Sequence, residues 1–197
     1  LQIFESIPRQ LAKDYKKFQC SKIISGGRFP QFKNAIDWLM GAGIAYKIPI
    51  IENIEFPLKQ FVDENNFKFY FIVVGLLGCL ADIPLQSFRA GNDLLKTFKG
   101  ALVENFVLQE MTYHLNERIY CWSNQRSEVE FVFQQEDQIY PIEVKSGTSG
   151  KLKSLNVYFE KYQPKIKTRI SPHPYHFRAD QSFQNLPLYL AGRGWKK

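Results

Sequence analysis

The sequence predicts a mixed α/β chain in two parts: a small helix-rich module over residues 1–90 and a mixed β-sheet flanked by helices over residues 91–197. Three observations carry that expectation. Apolar residues recur at helical spacing from Phe32 to Met40 and again from Ala101 to Leu115. Two alternating runs, Glu128 to Phe133 and Ile142 to Lys145, flank a short polar loop, the pattern of a β-hairpin. Between the two helical stretches, Ala90-Gly91-Asn92-Asp93 supplies a break, with Asn92 or Asp93 placed to cap the second helix.

In chain order, Ile3, Phe4, Ile7, Leu11 and Tyr15 predict one or two short helices, with Pro8 confined to a first turn or breaking the run. Phe32, Ala35, Ile36, Leu39 and Met40 form the stripe of a helix that stops at Gly41 and Gly43. Strands are expected over 44–50 and 67–74. Helix, strand, long loop and strand resemble a winged-helix arrangement, in which Arg28, Lys33 and the loop near Lys59 would meet a phosphate backbone; a packing role is the other reading. A long helix follows over 94–115, then a short strand at 120–123, the hairpin, an amphipathic helix over 154–162, and strands over 165–170 and 186–190, the last introduced by Pro187.

The net charge of +7 and pI near 9.2 suit a polyanionic partner without separating nucleic acid from an acidic protein or lipid surface. Seven basic residues between Lys145 and Arg169 stand against Glu160 alone, so the positive charge begins where the hairpin ends. Cys20, Cys79 and Cys121 are odd in number and far apart, which predicts a reduced, cytoplasmic setting. The apolar run from Phe69 to Ala81 is too short to span a bilayer and reads as core, with no membrane role. A chain opening at Leu1 suggests that something precedes it.

The hairpin carries the candidate chemistry. With Gln135 to Gln138 as a four-residue loop, Glu130 falls opposite Glu143 and Glu128 opposite Lys145, with side-chain carbons about 5 Å apart. Facing carboxylates repel, so either water screens them or a cation sits between. Mg²⁺ takes such oxygen ligands, and Lys145 could polarise a metal-bound water. Glu104 lies in the apolar line Ala101, Leu108, Met111, Leu115, so it faces the core and must be paired, protonated or metal-bound; a salt bridge to a lysine is the plain alternative. His173 and His176 form an H-x-x-H pair in a proline-flanked loop, a pattern more typical of a solvated loop than of a metal site.

Glu104 on a helix, Glu130 and Glu143 on paired strands, and Lys145 two residues beyond Glu143 resemble the active-site pattern of the PD-(D/E)XK nuclease superfamily. A closer resemblance, to the C-terminal domain of unknown function of prokaryotic AAA-type ATPases, rests on AIDWLMGAGIAYKI from Ala35, FKGALVENFVLQE from Phe98, CWSNQRSEVEFVF from Cys121 and PIEVKSG from Pro141. It implies a restriction-endonuclease-like sheet and a Mg²⁺ or Mn²⁺ ion held by Glu130, Glu143, the Val144 carbonyl and, through water, Glu104. Lys145 would be catalytic beside them, and Lys151, Lys153, Lys161 and Lys165 would track nucleic acid. Glutamate stands at Glu130 where the family usually has aspartate, which lengthens that arm. ATP would bind only in an upstream module, since no G-x-x-x-x-G-K-[ST] loop occurs here.

Overall fold

The computed structural model describes residues 1–13, 16–84, 86–87, 96–124, 126–147 and 152–193. The proposed break at Ala90 to Asp93, and with it Tyr15, Gln125 and Lys151, lies outside the described residues. Helices α1 (Gln2–Leu11) and α2 (Phe29–Gly41) precede β1 (Ala45–Ile51) and β2 (Phe67–Phe71). Helices α3 (Val74–Leu80) and α4 (Lys96–His114) follow, then β3 (Ile119–Ser123), β4 (Glu128–Gln135) and β5 (Gln138–Val144). Helix α5 (Lys153–Tyr162), β6 (Lys167–Ser171), β7 (His176–Arg178) and β8 (Phe183–Pro187) complete the chain.

All eight strands join one mixed sheet in the order β2-β1-β3-β4-β5-β6-β8-β7. Strand β1 pairs with β2 antiparallel and with β3 in parallel, through Ile50 with Cys121 and Ile51 with Trp122, so the first hairpin extends the sheet of the second half. Two cores follow from the two faces. The larger gathers Ile7, Ile36, Phe69, Leu108, Phe131 and Ile142 under α1, α2 and α4. The smaller gathers Ile51, Trp122, Val129, Val132, Leu155 and Tyr158 under α5.

Local chemistry explains most of these elements. Helix α2 ends in a Schellman motif: the Ile44 N–H donates to the Leu39 carbonyl and the Gly43 N–H to the Met40 carbonyl, both at 3.0 Å. That closure needs a left-handed residue, and Gly43 has φ +65°. Helix α1 runs through Pro8 rather than breaking there; burial of Ile3, Ile7 and Leu11 outweighs the missing N–H. The second strand ends at Phe71 rather than at residue 74, where helix α3 begins. The last strand closes at Pro187 instead of opening there, and Leu188–Leu190 is a 3-10 turn. The expected 171–185 loop contains β7, pinned by Asn185, whose amide donates to the His173 and Pro174 carbonyls.

The central hairpin keeps the expected register with a shorter turn. Gln135 pairs with Gln138 and Phe131 with Ile142, so the strands run to a two-residue turn at Glu136-Asp137, with Glu136 at φ +53°. The strict alternation expected of β4 is broken. Against β3, Tyr120 pairs with Val132 but Trp122 with Val129, so β4 carries one extra residue across Glu130 and Phe131. This bulge lets Val129 and Val132 share the smaller core while Phe131 and Phe133 enter the larger one.

Candidate functional site

Three elements bring the predicted acidic residues together. Helix α4 buries the line of Ala101, Leu108 and Met111, and Glu104 goes in with it, 4% exposed. Strand β5 buries Glu143, 3% exposed, between Ile142 and Val144. Beside it, Glu130 leaves the bulge of β4, and its Oε2 accepts the Val144 N–H at 3.2 Å. Burial pushes the Glu130 carboxyl well above the usual carboxylate range, and Glu143 and then Glu104 push it further by like-charge repulsion. The three side chains therefore feel one another across α4, β4 and β5.

Lysines answer this charge. Lys145 Nζ lies 2.5 Å from Glu143 Oε1, while Glu143 Oε2 is buried without a hydrogen-bond partner among the described residues. Burial lowers the Lys145 ammonium's pKa, but Glu143, Glu130 and Glu104 outweigh burial and hold it above its ordinary value. Glu104 Oε1 pairs with Lys16, and its Oε2 accepts the Tyr70 hydroxyl at 3.3 Å, so the salt bridge considered from sequence is present. Lys68, fully buried on β2, pairs with Glu128; that carboxylate was expected to face Lys145. Burial opposes the Lys68 charge, yet the acidic groups around it, Tyr70, Cys121, Glu128 and Glu104, hold its pKa well above the ordinary value. Tyr70 and Cys121 are themselves pushed up by burial, Cys121 to about 12, so near neutrality the carboxylates alone supply that attraction.

The cluster thus holds Glu104, Glu128, Glu130 and Glu143 against Lys16, Lys68 and Lys145. Among the described residues, no group of three or more His, Cys, Asp or Glu side chains stands in ready metal-holding geometry. The sequence reading missed Lys16, Lys68 and Tyr70, and it set Glu128 opposite Lys145 without placing it in the site. Of these, Lys68 was the most visible: a lone cation in the strand FKFYF has no solvent face if every neighbour is core.

The basic run divides. Lys153 lines a cavity with Lys167, Arg169, His176 and Arg178, whereas Lys161 borders a separate pocket with Glu52 and Asn124. Lys165 is exposed and lines neither. Of the two histidines, the His176 ring nitrogen Nε2 accepts Arg178 Nε–H at 2.9 Å, and the backbone N–H of His173 donates to Ser171 Oγ. Of the basic residues suggested for the first half, Lys33 is tied to Asp37 at 2.6 Å on the exposed face of α2.

Residues 99–190 match a family model described as a domain of unknown function, DUF4143. A second model, described as a domain of unknown function, DUF8612, matches residues 1–87. No curated protein and no solved structure matches the chain. The two matched segments meet at the cluster. Glu104, Glu128, Glu130, Glu143 and Lys145 belong to the DUF4143 segment, and Lys16, Lys68 and Tyr70 to the other. No helix among the described residues is long and apolar enough to cross a membrane.

Proposed function

We propose that the chain is a nuclease-like module of the PD-(D/E)XK type, hydrolysing phosphodiester bonds in nucleic acid with a bound Mg²⁺ or Mn²⁺ ion. The observation that carries this reading is the buried Glu143 Oε2, which has no hydrogen-bond partner among the described residues and lies near a Glu130 carboxyl that Glu143 and Glu104 help to push up. A buried carboxylate oxygen without a partner costs about 1–3 kcal/mol, and an oxygen-liganded dication removes that cost. Glu130, Glu143 and the Val144 carbonyl would hold the ion, with Glu104 reaching it through water. Such an ion, when bound, activates water and offsets phosphate charge.

The roles of the chain's own groups follow from their surroundings. Lys145 is held protonated, so it acts as a fixed cation toward phosphate oxygens or the attacking water and not as a proton acceptor. Tyr70 and Lys16 restrain the two oxygens of Glu104. As the resemblance implies, an AAA-type ATPase module of the same polypeptide would be the partner, and ATP would act there.

A second reading, a nuclease-like fold kept as a binding or regulatory module without turnover, is favoured by the lysines themselves. Lys16, Lys68 and Lys145 already offset the carboxylates, so the cluster has a stable arrangement with no metal. Cleavage of plasmid and single-stranded DNA with Mn²⁺, set beside Glu143→Ala and Lys145→Ala, separates the two. Activity lost in both variants supports the hydrolase; no activity in any sample at saturating metal leaves the binding module.

A further inference from the structure

One strand beyond the acidic cluster, β6 pairs Arg169 with Glu143 across the ladder, and beside Arg169 opens a cavity of about 510 Å³. Lys153, Lys167, Arg169 and Arg178 line it with His176 and Phe183, and no carboxylate among the described residues does. None of the four cations forms an ion pair among the described residues. Their contacts are of another kind. Arg169 Nε donates to Oδ1 of the fully buried Asn185 at 2.7 Å, and its guanidinium lies over the Phe183 ring. Lys167 Nζ sits over the Phe159 ring at 4.5 Å, and Arg178 Nε is taken by His176.

Four like charges gathered without an answering carboxylate repel, and burial already lowers the charge preference of Arg169. The arrangement is held by the fold: Asn185 also accepts Ser171 Oγ at 2.6 Å and ties down the 173–174 loop, so Arg169 is fixed before any ligand arrives. Each Nε–H is engaged and both side chains line the cavity, so their terminal nitrogens are the donors still available to a ligand. Paired guanidinium forks match phosphate oxygens. The cavity's volume falls in the range of about 300–1,000 Å³ typical of small-molecule sites, larger than an inorganic anion needs, and Phe183 supplies an apolar wall.

We infer that this cavity binds the terminal phosphate of a nucleotide, free or at the 5′ end of a polynucleotide, through Arg169, Arg178, Lys153 and Lys167. The site does not depend on the metal reading, because it shares no residue with the carboxylate cluster. A nucleotide phosphate seated there would lie one strand away from Glu143.

Calorimetric titration of the whole chain in EDTA tests it, with inorganic phosphate, a nucleoside 5′-monophosphate, and one oligonucleotide carrying either a 5′-phosphate or a 5′-hydroxyl. Arg169→Ala risks the fold through Asn185, so the exposed Arg178→Ala and Lys153→Ala carry the test, with the exposed Lys22→Ala as the control. The expected result is binding of phosphate-bearing probes, weakened about tenfold by each of the two variants, as for loss of one charge-assisted contact, and unchanged by Lys22→Ala. Tighter binding of the 5′-phosphorylated oligonucleotide than of the mononucleotide assigns the polymer end as the source; equal binding assigns the free nucleotide. No binding of any probe, indifference to both variants, or equal binding of the phosphorylated and hydroxyl oligonucleotides overturns the inference.

Discussion

The carboxylate cluster of α4, β4 and β5 and the basic cavity beside β6 differ in how their charge is answered. In the cluster Lys16, Lys68 and Lys145 reach in from two matched segments of the chain and pair with Glu104, Glu128 and Glu143. In the cavity Lys167, Arg169 and Arg178 meet aromatic rings or nitrogen and oxygen acceptors, and none of these three or Lys153 forms an ion pair among the described residues. The first region is built into the core, where an unpaired charge costs several kcal/mol; the second opens to water, where like charges are screened. Charge that folding itself answers belongs to stability first. Charge left unanswered is available to a ligand.

Removing Lys68 gives the largest expected effect. Lys68→Met leaves Glu128 beside Glu104 without its cation and should lower stability by about 3 kcal/mol in urea unfolding, the low end for a broken buried pair because Glu128 is partly open to water. The double variant with Glu128→Gln should recover most of that loss. A cost under about 0.5 kcal/mol for Lys68→Met would place the pair among ordinary surface bridges. Lys16→Met should cost less, about 2 kcal/mol, since Tyr70 still reaches Glu104. Calorimetry should then find Mn²⁺ binding tightened about tenfold, because Glu104 no longer has a competing ammonium; unchanged affinity would exclude Glu104 from the metal's surroundings.

Glu130 sharpens the contrast through pH. Its folded pKa is raised by burial and then by Glu143 and Glu104, so the folded state holds its proton more tightly than the unfolded chain. Its contribution is therefore complete below the ordinary carboxylate pKa of 4.5 and is lost as pH rises through the folded value. Glu130→Gln keeps an acceptor for the Val144 N–H and removes this loss. Melting temperatures from pH 5 upward should fall less steeply in the variant than in the parent; parallel curves would remove the proton from Glu130. The smallest effect is expected in the cavity. Lys153→Ala with Arg178→Ala should shift stability by less than about 0.5 kcal/mol, while about 0.5 M salt weakens phosphate binding and leaves the cluster's stability nearly unchanged.

Much of this was legible in sequence, and the parts that were not share a cause. The inward face of Glu104 follows from its place between Ala101 and Leu108, and the hairpin register from the alternation around Glu136-Asp137. Both are local patterns. The bulge at Glu130 and Phe131 is not, because it depends on which residues of β3 lie across the ladder. Lys16 and Lys68 lie 88 and 60 residues from the carboxylates they meet, and no spacing rule connects them. The joining of β1 to β3 hides in the same way, since it rests on two residue pairs between distant strands. The basic cavity needed Arg178, which lies on a three-residue strand inside what reads as a proline-rich loop.

The most direct test of the account is calorimetric titration of Mn²⁺ into the chain, Glu143→Ala and Lys145→Ala, with plasmid and single-strand cleavage measured on the same samples. The account predicts metal uptake by the parent, none by Glu143→Ala, and uptake without cleavage by Lys145→Ala. Absence of uptake by the parent at millimolar metal would contradict it, leaving a carboxylate cluster offset by its own lysines.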